Sequence, residues 1–130
     1  MLNAHRLLLP IGLALLTACA HKPSSLTVQK QNQCPLQLHS GQQLVLILPS
    51  NPTTGFRWVI RDGAERVLSS LGPEVYSNPE DAGLVGSAGQ STWLFNAKQP
   101  GEGHLLLTYQ RPWEVEVAPA KTFDCPIRVE

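Results

Sequence analysis

The chain of 130 residues is long enough for one domain with a modest core, since hydrophobic residues make up 42% of it. Ten basic residues balance ten acidic ones, and this formal net charge of +0 argues against nucleic acid or an anionic membrane surface as the main partner. Eleven prolines and ten glycines indicate many turns, which favours an all-β domain over a helical one.

Residues 1–18 have the pattern of an export signal. A short start with one basic residue precedes the apolar run 7–16, which is too short to span a bilayer comfortably. The run ends in Leu-Thr-Ala-Cys at 16–19, which resembles the lipobox of bacterial lipoproteins. A plain secretory signal with a chance cysteine is the alternative. The motif favours cleavage before Cys19 and lipidation of Cys19, which would anchor the chain to a membrane.

The residue after the lipobox cysteine suggests where the anchored chain goes. Ala20 stands where an Asp is associated with retention in the inner membrane of many Gram-negative bacteria. We therefore expect the protein to be anchored in the bacterial cell envelope, at the outer membrane and facing the periplasm. Residues 19–25 then form a lipidated polar tether, and residues 26–130 form the folded domain.

Two further cysteines, Cys34 and Cys125, belong to the folded domain. Both alternate in phase with apolar neighbours, and an exported protein meets an oxidising compartment, so a disulfide between them is expected. Two free buried thiols are the alternative. A metal site with His39 and His104 is discounted, because these residues lack the close spacing of ligands; we expect neither a metal nor a cofactor.

Short apolar or alternating runs predict seven or eight strands. They cover residues 26–31, 34–38, 43–48, 56–60, 74–76, 91–97, 104–109 and 123–130. Residues 64–73 allow either one helical turn or an irregular connection, and the glycine-rich stretch 77–90 predicts a long loop. Turns at intervals of about 8–12 residues, without βαβ alternation, favour a two-sheet antiparallel sandwich in which loops from one end cluster.

One connection between predicted strands has an unusual composition, Asn51-Pro52-Thr53-Thr54-Gly55-Phe56. Pro52 fixes its own φ and keeps Asn51 out of the helical region, while Gly55 can adopt positive φ. The two threonines are β-branched and have few rotamers to lose on binding. The stretch is either an ordinary turn between two strands, in which these residues have no binding role, or a stiff, exposed loop that presents two hydroxyls to a partner.

Three segments together resemble the chagasin-type inhibitors of papain-like cysteine peptidases, in order and spacing, over nearly all of the mature domain. Residues 51–56 match the family's NPTTG-aromatic loop. The second segment is Gly86-Ser87-Ala88-Gly89, where the family usually has GxGG. The third is Leu107-Thr108-Tyr109-Gln110-Arg111-Pro112-Trp113, which matches the family's LxYxRPW pattern.

This resemblance implies an immunoglobulin-like antiparallel β-sandwich whose three loops plug the cleft of a papain-like cysteine peptidase without being cleaved. Residues 53–55 would approach the catalytic cysteine, 86–89 would line one wall of the cleft, and 111–113 would pack on the other. Ala88 adds a methyl group where the family tends to have none, which would weaken the contact of the second loop. The implied protein is a reversible, tight-binding inhibitor, a monomer by default, without nucleic acid or cofactor.

Several of these residues also have a structural interpretation. Trp113 could belong to the core, although the adjacent proline and the following charge favour exposure. Arg111 could brace its own loop by donating hydrogen bonds to carbonyls, and Asn51 could cap its loop through its side chain. Tyr109 is expected to be structural.

Two other classes of function compete with an inhibitor. The sequence shows no Ser/His/Asp or Cys/His constellation and its two domain cysteines are expected to be bonded, so an enzyme is rejected. The alternative is an envelope lipoprotein with a structural or assembly role that uses the same sandwich as a protein-binding module. That alternative predicts intact function after substitution of Thr54 and Trp113, whereas an inhibitor predicts large losses of affinity.

Overall fold

The computed structural model describes residues 24–78 and 89–130. The expected signal at 1–18, the lipidation site Cys19, most of the tether, and Gly86, Ser87 and Ala88 of the second loop lie outside the described residues. Within the described part, nine strands form two sheets that enclose one hydrophobic core, which confirms the expected all-β sandwich.

The strands begin and end at well-defined residues along the chain. In chain order they are β1 Ser25–Val28, β2 Leu36–Leu38, β3 Gln43–Ser50, β4 Arg57–Gly63, β5 Leu68–Ser70, β6 Val75–Ser77, β7 Gly89–Ala97, β8 Gly101–Gln110 and β9 Lys121–Val129. Two 3₁₀ turns, Gln31–Gln33 and Pro52–Thr54, complete the regular structure of the described residues. None of the helices found in 24–78 and 89–130 has the length and apolar character needed to cross a membrane.

The first sheet has the order β1-β3-β7-β5, with β6 also paired to β7, and the second has the order β2-β9-β8-β4. Most pairs are antiparallel, but β1 runs parallel to β3 and β2 runs parallel to β9. The expected antiparallel sandwich is thus confirmed in its architecture, and the two parallel pairs are a detail that the sequence did not predict. The chain crosses from β1 to the opposite sheet for β2 and returns for β3, so β1 and β3 point the same way.

The strand count also differs from the expected seven or eight. Residues 64–73, expected to be a helical turn or an irregular connection, contain a short turn followed by β5, which pairs with the end of β7 from Leu68 to Ser70. Leu68 and Val67 are both fully buried, so the apolar spacing that suggested a helical face belongs to a turn and a strand that cover the core.

Alternation along the long strands gives each sheet one apolar face. The core-facing residues of these strands are Leu44, Leu46 and Leu48 of β3, Trp93, Phe95 and Ala97 of β7, Leu105, Leu107 and Tyr109 of β8, and Phe123, Cys125, Ile127 and Val129 of β9. Burial of each large apolar side chain contributes about 1.5–3 kcal/mol relative to exposure. The two sheets are therefore held together by the period-two pattern of their sequences.

The expected disulfide is present between Cys34 and Cys125, whose Cα atoms are 5.3 Å apart. Cys34 follows the turn Gln31–Gln33 directly, and Cys125 lies fully buried in β9. The bond therefore fastens the first part of the domain to its last strand.

The two poles of the sandwich carry different parts of the chain. Strand β3 starts at Gln43, beside Ser25, and ends at Ser50, beside Gly89, and its eight residues span about 23 Å at about 3.3 Å per residue. We call the pole where β3 ends the second pole. The connection 51–56 follows β3 there, and the end of β8 lies there too, because Arg57 pairs with Gln110. The chain therefore enters the domain at the pole opposite to these two segments.

We expect replacement of both Cys34 and Cys125 by alanine to lower the free energy of unfolding by about 2–4 kcal/mol, because the bond closes a long loop and restricts the unfolded chain. Urea denaturation followed by circular dichroism measures this loss. Reductant should lower the stability of the native protein to the same extent and leave the double variant unchanged. Equal stability of the native and double-variant proteins would contradict this account of the bond.

Candidate functional site

The connection between β3 and β4 is a closed turn at the second pole. The Thr54 amide donates to the Asn51 carbonyl at 3.2 Å, and the Gly55 amide donates to the Pro52 carbonyl at 3.0 Å. Gly55 has φ 85°, in the left-handed region, as its sequence context predicts. We call residues 51–56 the first loop.

The two threonine hydroxyls of the first loop point back into the loop as donors. The Thr53 hydroxyl donates to Asn51 Oδ1 at 2.6 Å, and the Thr54 hydroxyl donates to the Asn51 carbonyl at 2.7 Å. Asn51 therefore organises the loop by accepting hydrogen bonds, and its side chain does not cap a backbone N–H group. Both threonines remain exposed, so each oxygen can still accept a hydrogen bond from a partner.

Tyr109, at the inner face near the end of β8, supports the first loop from below. Its side chain is only 7% exposed, and its hydroxyl accepts a 2.9 Å hydrogen bond from the Asn51 amide. Its ring lies 5.3 Å from the ring of Phe56 and 4.9 Å from that of Trp58. Tyr109 is structural, as expected, and it joins the first loop to the aromatic end of the core.

Arg111 connects the first loop to the segment that follows β8. Its Nε donates to the Thr54 carbonyl at 3.1 Å, and its guanidinium carbon lies 4.5 Å from the centre of the Phe56 ring. Its Nη1 also pairs with Glu114 Oε1 at 3.0 Å. The structure therefore contains the bracing interaction that the sequence left open for Arg111, although across two loops instead of one.

Trp113 is 65% exposed, which confirms the expectation that it lies outside the core. One edge of its ring nevertheless packs on Gly55. A Cβ atom added at Gly55 would overlap Cη2 of Trp113 and would lie 3.2 Å from Cζ2. Gly55 is thus required twice, once for its positive φ and once for the approach of the indole ring. We call residues 111–113 the third loop.

Of the glycine-rich second loop, residues 86–89, the structure describes Gly89, the first residue of β7. Gly89 pairs with Ser50, the residue that precedes the first loop. The fold therefore brings the first loop, the third loop and the end of the second loop to one pole. The three predicted segments converge there, as far as the described residues extend.

Two residues of the site were missed by sequence reasoning. Glu114 pairs with Arg111, and the opposite charges three positions apart were a signal for this pair. Lys121 places its Nζ 5.5 Å from the centre of the Tyr109 ring across the β8–β9 pair. Lys121 gave no local signal, because it meets Tyr109 only through the register of the two strands.

The arrangement is suited to binding. Residues 24–78 and 89–130 contain no group of three or more His, Cys, Asp or Glu side chains that could hold a metal ion. The pole instead presents an exposed tryptophan and two exposed threonines on a loop closed by its own hydrogen bonds. Fold and site together define a β-sandwich binding module. We call its first and third loops together the edge, which is assembled before any partner binds.

Sequence comparisons place this module in a family. The family model described as "Chagasin family peptidase inhibitor I42" matches residues 37–127. Amoebiasin-1 of Entamoeba histolytica is 31% identical over 102 residues, which cover 78% of this chain and 96% of amoebiasin-1. Chagasin of Trypanosoma cruzi is 33% identical over 84 residues, which cover 63% of this chain and 76% of chagasin. The chain belongs to the chagasin family of peptidase inhibitors, and it is not an enzyme.

Solved structures share the fold. The crystal structure of the cysteine protease inhibitor EhICP2 from Entamoeba histolytica superimposes with a TM-score of 0.71 at 19% identity, covering 82% of this chain and 96% of EhICP2. PbICP-C, solved in complex with falcipain-2, gives a TM-score of 0.50 at 18% identity, covering 88% of this chain and 96% of that one. The immunoglobulin-like sandwich expected from the sequence is thus the fold of EhICP2, a cysteine protease inhibitor.

We expect Gly55→Ala to destabilise the protein by about 1–3 kcal/mol, because alanine is strained at φ 85° and its methyl group would displace Trp113. The free energy of unfolding in urea measures this effect. Gly72→Ala is the matched control, since a Cβ added at Gly72 meets no atom within 4 Å. Equal stability of the two variants would contradict the close packing of Trp113 on Gly55.

Proposed function

We propose that this protein is a reversible, tight-binding inhibitor of papain-like cysteine peptidases, whose active-site cleft it blocks with residues 51–56, 86–89 and 111–113. The observation that carries this proposal is the direct connection between the first and third loops through Arg111 and Trp113. An edge held in one shape before binding loses little conformational freedom on binding, and this preorganisation favours high affinity.

The geometry of the first loop also explains how it could occupy a peptidase cleft without being cleaved. Cleavage of a peptide requires a backbone carbonyl carbon to be accessible to the catalytic thiolate. Residues 52–54 form a 3₁₀ turn, and the carbonyls of Asn51, Pro52 and Thr54 already accept hydrogen bonds from within the protein. Threading this segment as an extended substrate would break these bonds, so the intact turn favours occlusion over hydrolysis.

The exposed chemistry of the edge fits contact with another protein. Trp113 offers a large exposed aromatic surface, and tryptophan is among the residues most often found as interface hot spots. The second loop offers small side chains, which allow a close approach of backbones. Ala88 is the one departure from the family's glycine pattern, and we propose that its methyl group weakens this second contact.

Family membership favours inhibition over the alternative role as a structural or assembly lipoprotein. The fold shared with EhICP2, a cysteine protease inhibitor, supports cysteine peptidases as the target class. The proposed partner is thus a papain-like cysteine peptidase, bound by one monomer of this protein.

We expect the purified protein to inhibit papain stoichiometrically and to remain uncleaved, and we expect Trp113→Ala to raise the inhibition constant by roughly 30-fold or more, as loss of a hot spot does. Thr54→Ala should raise it roughly tenfold, because the turn loses one of its closing hydrogen bonds. Inhibition constants from steady-state titration measure both effects.

Thr27→Ala provides the matched control for Thr54→Ala, because Thr27 is an exposed threonine on β1, at the pole where the chain enters. It should inhibit as the native protein does. Unchanged inhibition by both loop variants would contradict the assignment of the site, and cleavage of the native protein by papain would contradict the occlusion mechanism.

We further propose that Cys19 is lipidated and anchors the protein to the outer membrane, facing the periplasm. The lipobox-like sequence at 16–19 and the alanine at position 20 support this proposal. Because β1 begins at the pole opposite to the first and third loops, a tether ending at residue 25 would leave the inhibitory edge facing away from the membrane. An anchored inhibitor of this orientation would remain accessible to soluble peptidases.

We expect Cys19→Ser to abolish incorporation of labelled palmitate and to release the protein from the membrane fraction of a Gram-negative host, because serine offers no thiol for acylation. Ala20→Asp should keep the label but move the protein to the inner membrane. Retention of label and membrane association by Cys19→Ser would contradict lipidation at this position.

A further inference from the structure

Tyr76 lies in the short strand β6, just before the segment that leads to the second loop. β6 pairs with the first half of β7, with Tyr76 opposite Ser91 and Ser77 opposite Gln90. Because Ser91 is fully buried, the register turns Tyr76 toward the inner face of the sheet. Its side chain is nevertheless 38% exposed, since it sits at the pole where β7 begins.

The Tyr76 ring covers Gly89. A Cβ atom added at Gly89 would overlap the Tyr76 hydroxyl and would lie 2.6 Å from both Cε1 and Cζ of the ring. Gly89 is the last residue of the glycine-rich second loop, and its partner across the sheet, Ser50, directly precedes the first loop. The ring thus lies against Gly89, the last residue of the second loop, which is adjacent to the start of the first loop through Ser50.

The strand that carries Tyr76 is fixed on its inner side. The buried Ser91 hydroxyl donates a hydrogen bond to the Glu74 carboxylate, two positions before Tyr76. Residues 75–77 pair with β7 over three positions, from Thr92 back to Gln90. A side chain on a strand held in this way has a defined position, so its ring can act as a fixed support.

Gly89 is the described residue of the second loop, and it is held by different side chains from those that hold the first and third loops. Arg111, Tyr109 and Trp113 hold the first and third loops to each other, and none of their hydrogen bonds or ring contacts in 24–78 and 89–130 involves Gly89. Tyr76 makes such a contact from the side of the first sheet. The same device recurs at both places, an aromatic ring laid on a loop glycine: Trp113 on Gly55 and Tyr76 on Gly89.

We propose that Tyr76 is a positioning residue for inhibition, which fixes the Gly89 end of the second loop against the first loop through its ring. The proposal rests on the proposed function and adds a residue outside the three motifs. Its action is steric, so the ring is required and the hydroxyl is not. Loss of the ring allows Gly89 and the adjoining backbone more conformations, which must be restricted again when the peptidase binds.

The test compares inhibition of papain by the purified protein and by Tyr76→Ala, Tyr76→Phe and Val75→Ala. Tyr76→Ala should raise the inhibition constant roughly tenfold, whereas Tyr76→Phe should stay within about twofold of the native protein. Val75→Ala is the control for the strand itself, since Val75 is exposed and belongs to the opposite face of β6. Circular dichroism and thermal unfolding verify that each variant is folded.

A double-mutant cycle separates positioning from a general loss of stability. Gly89→Ala alone should weaken inhibition, because its methyl group displaces the ring, and it should cost much less in the Tyr76→Ala background, where no ring remains. Additive effects would overturn the proposal. Equal losses from Tyr76→Phe and Tyr76→Ala would also overturn it, because the ring would then not be the active part.

The failure of this proposal is distinguishable from failure of the proposed function. Loss of inhibition by Trp113→Ala together with native inhibition by Tyr76→Ala would overturn the role of Tyr76 alone. Absence of inhibition by the native protein would overturn both.

Discussion

The arrangement of the candidate site depends on the contact between Arg111 and the backbone of the first loop. The Thr54 carbonyl accepts a hydrogen bond from Arg111 Nε, and the guanidinium also lies over the Phe56 ring. One side chain therefore connects two segments that are distant in sequence. Charge-assisted hydrogen bonds of this kind contribute about 1.5–3 kcal/mol, more than neutral ones. Glu114 on the other side of the guanidinium limits its freedom to turn away.

The sandwich makes this contact possible through strand alternation. Tyr109 faces the core near the end of β8, and Arg111, two positions later, continues on the same side and passes over the end of the core to the first loop. The Asn51 amide donates a hydrogen bond to the hydroxyl of the buried Tyr109, so the first loop is also held at its first residue. The first loop is therefore joined to the end of the core through Tyr109 and Arg111, although both of its threonines are exposed.

The sequence predicted what depends on local chemistry and short patterns. Positive φ at Gly55, exposure of Trp113 and the Cys34–Cys125 bond all follow from residue type and phase. The parallel pairing of β1 with β3 and of β2 with β9 was missed, because strand direction depends on which sheet receives each strand. The contact of the Tyr76 ring with Gly89 also gave no signal in the sequence. It depends on the register of β6 against β7 and on a close approach between residues 13 positions apart, and neither can be predicted from the local sequence.

We propose that the first and third loops bind a peptidase in the shape they already have. A crystal structure of the protein in complex with papain tests this most directly. We expect residues 51–56 and 111–113 to lie inside the cleft, with the hydrogen bond from Arg111 Nε to the Thr54 carbonyl and the packing of Trp113 on Gly55 as in the free protein. A complex formed through the outer face of either sheet, or one in which the first loop opens and these two contacts break, would contradict it.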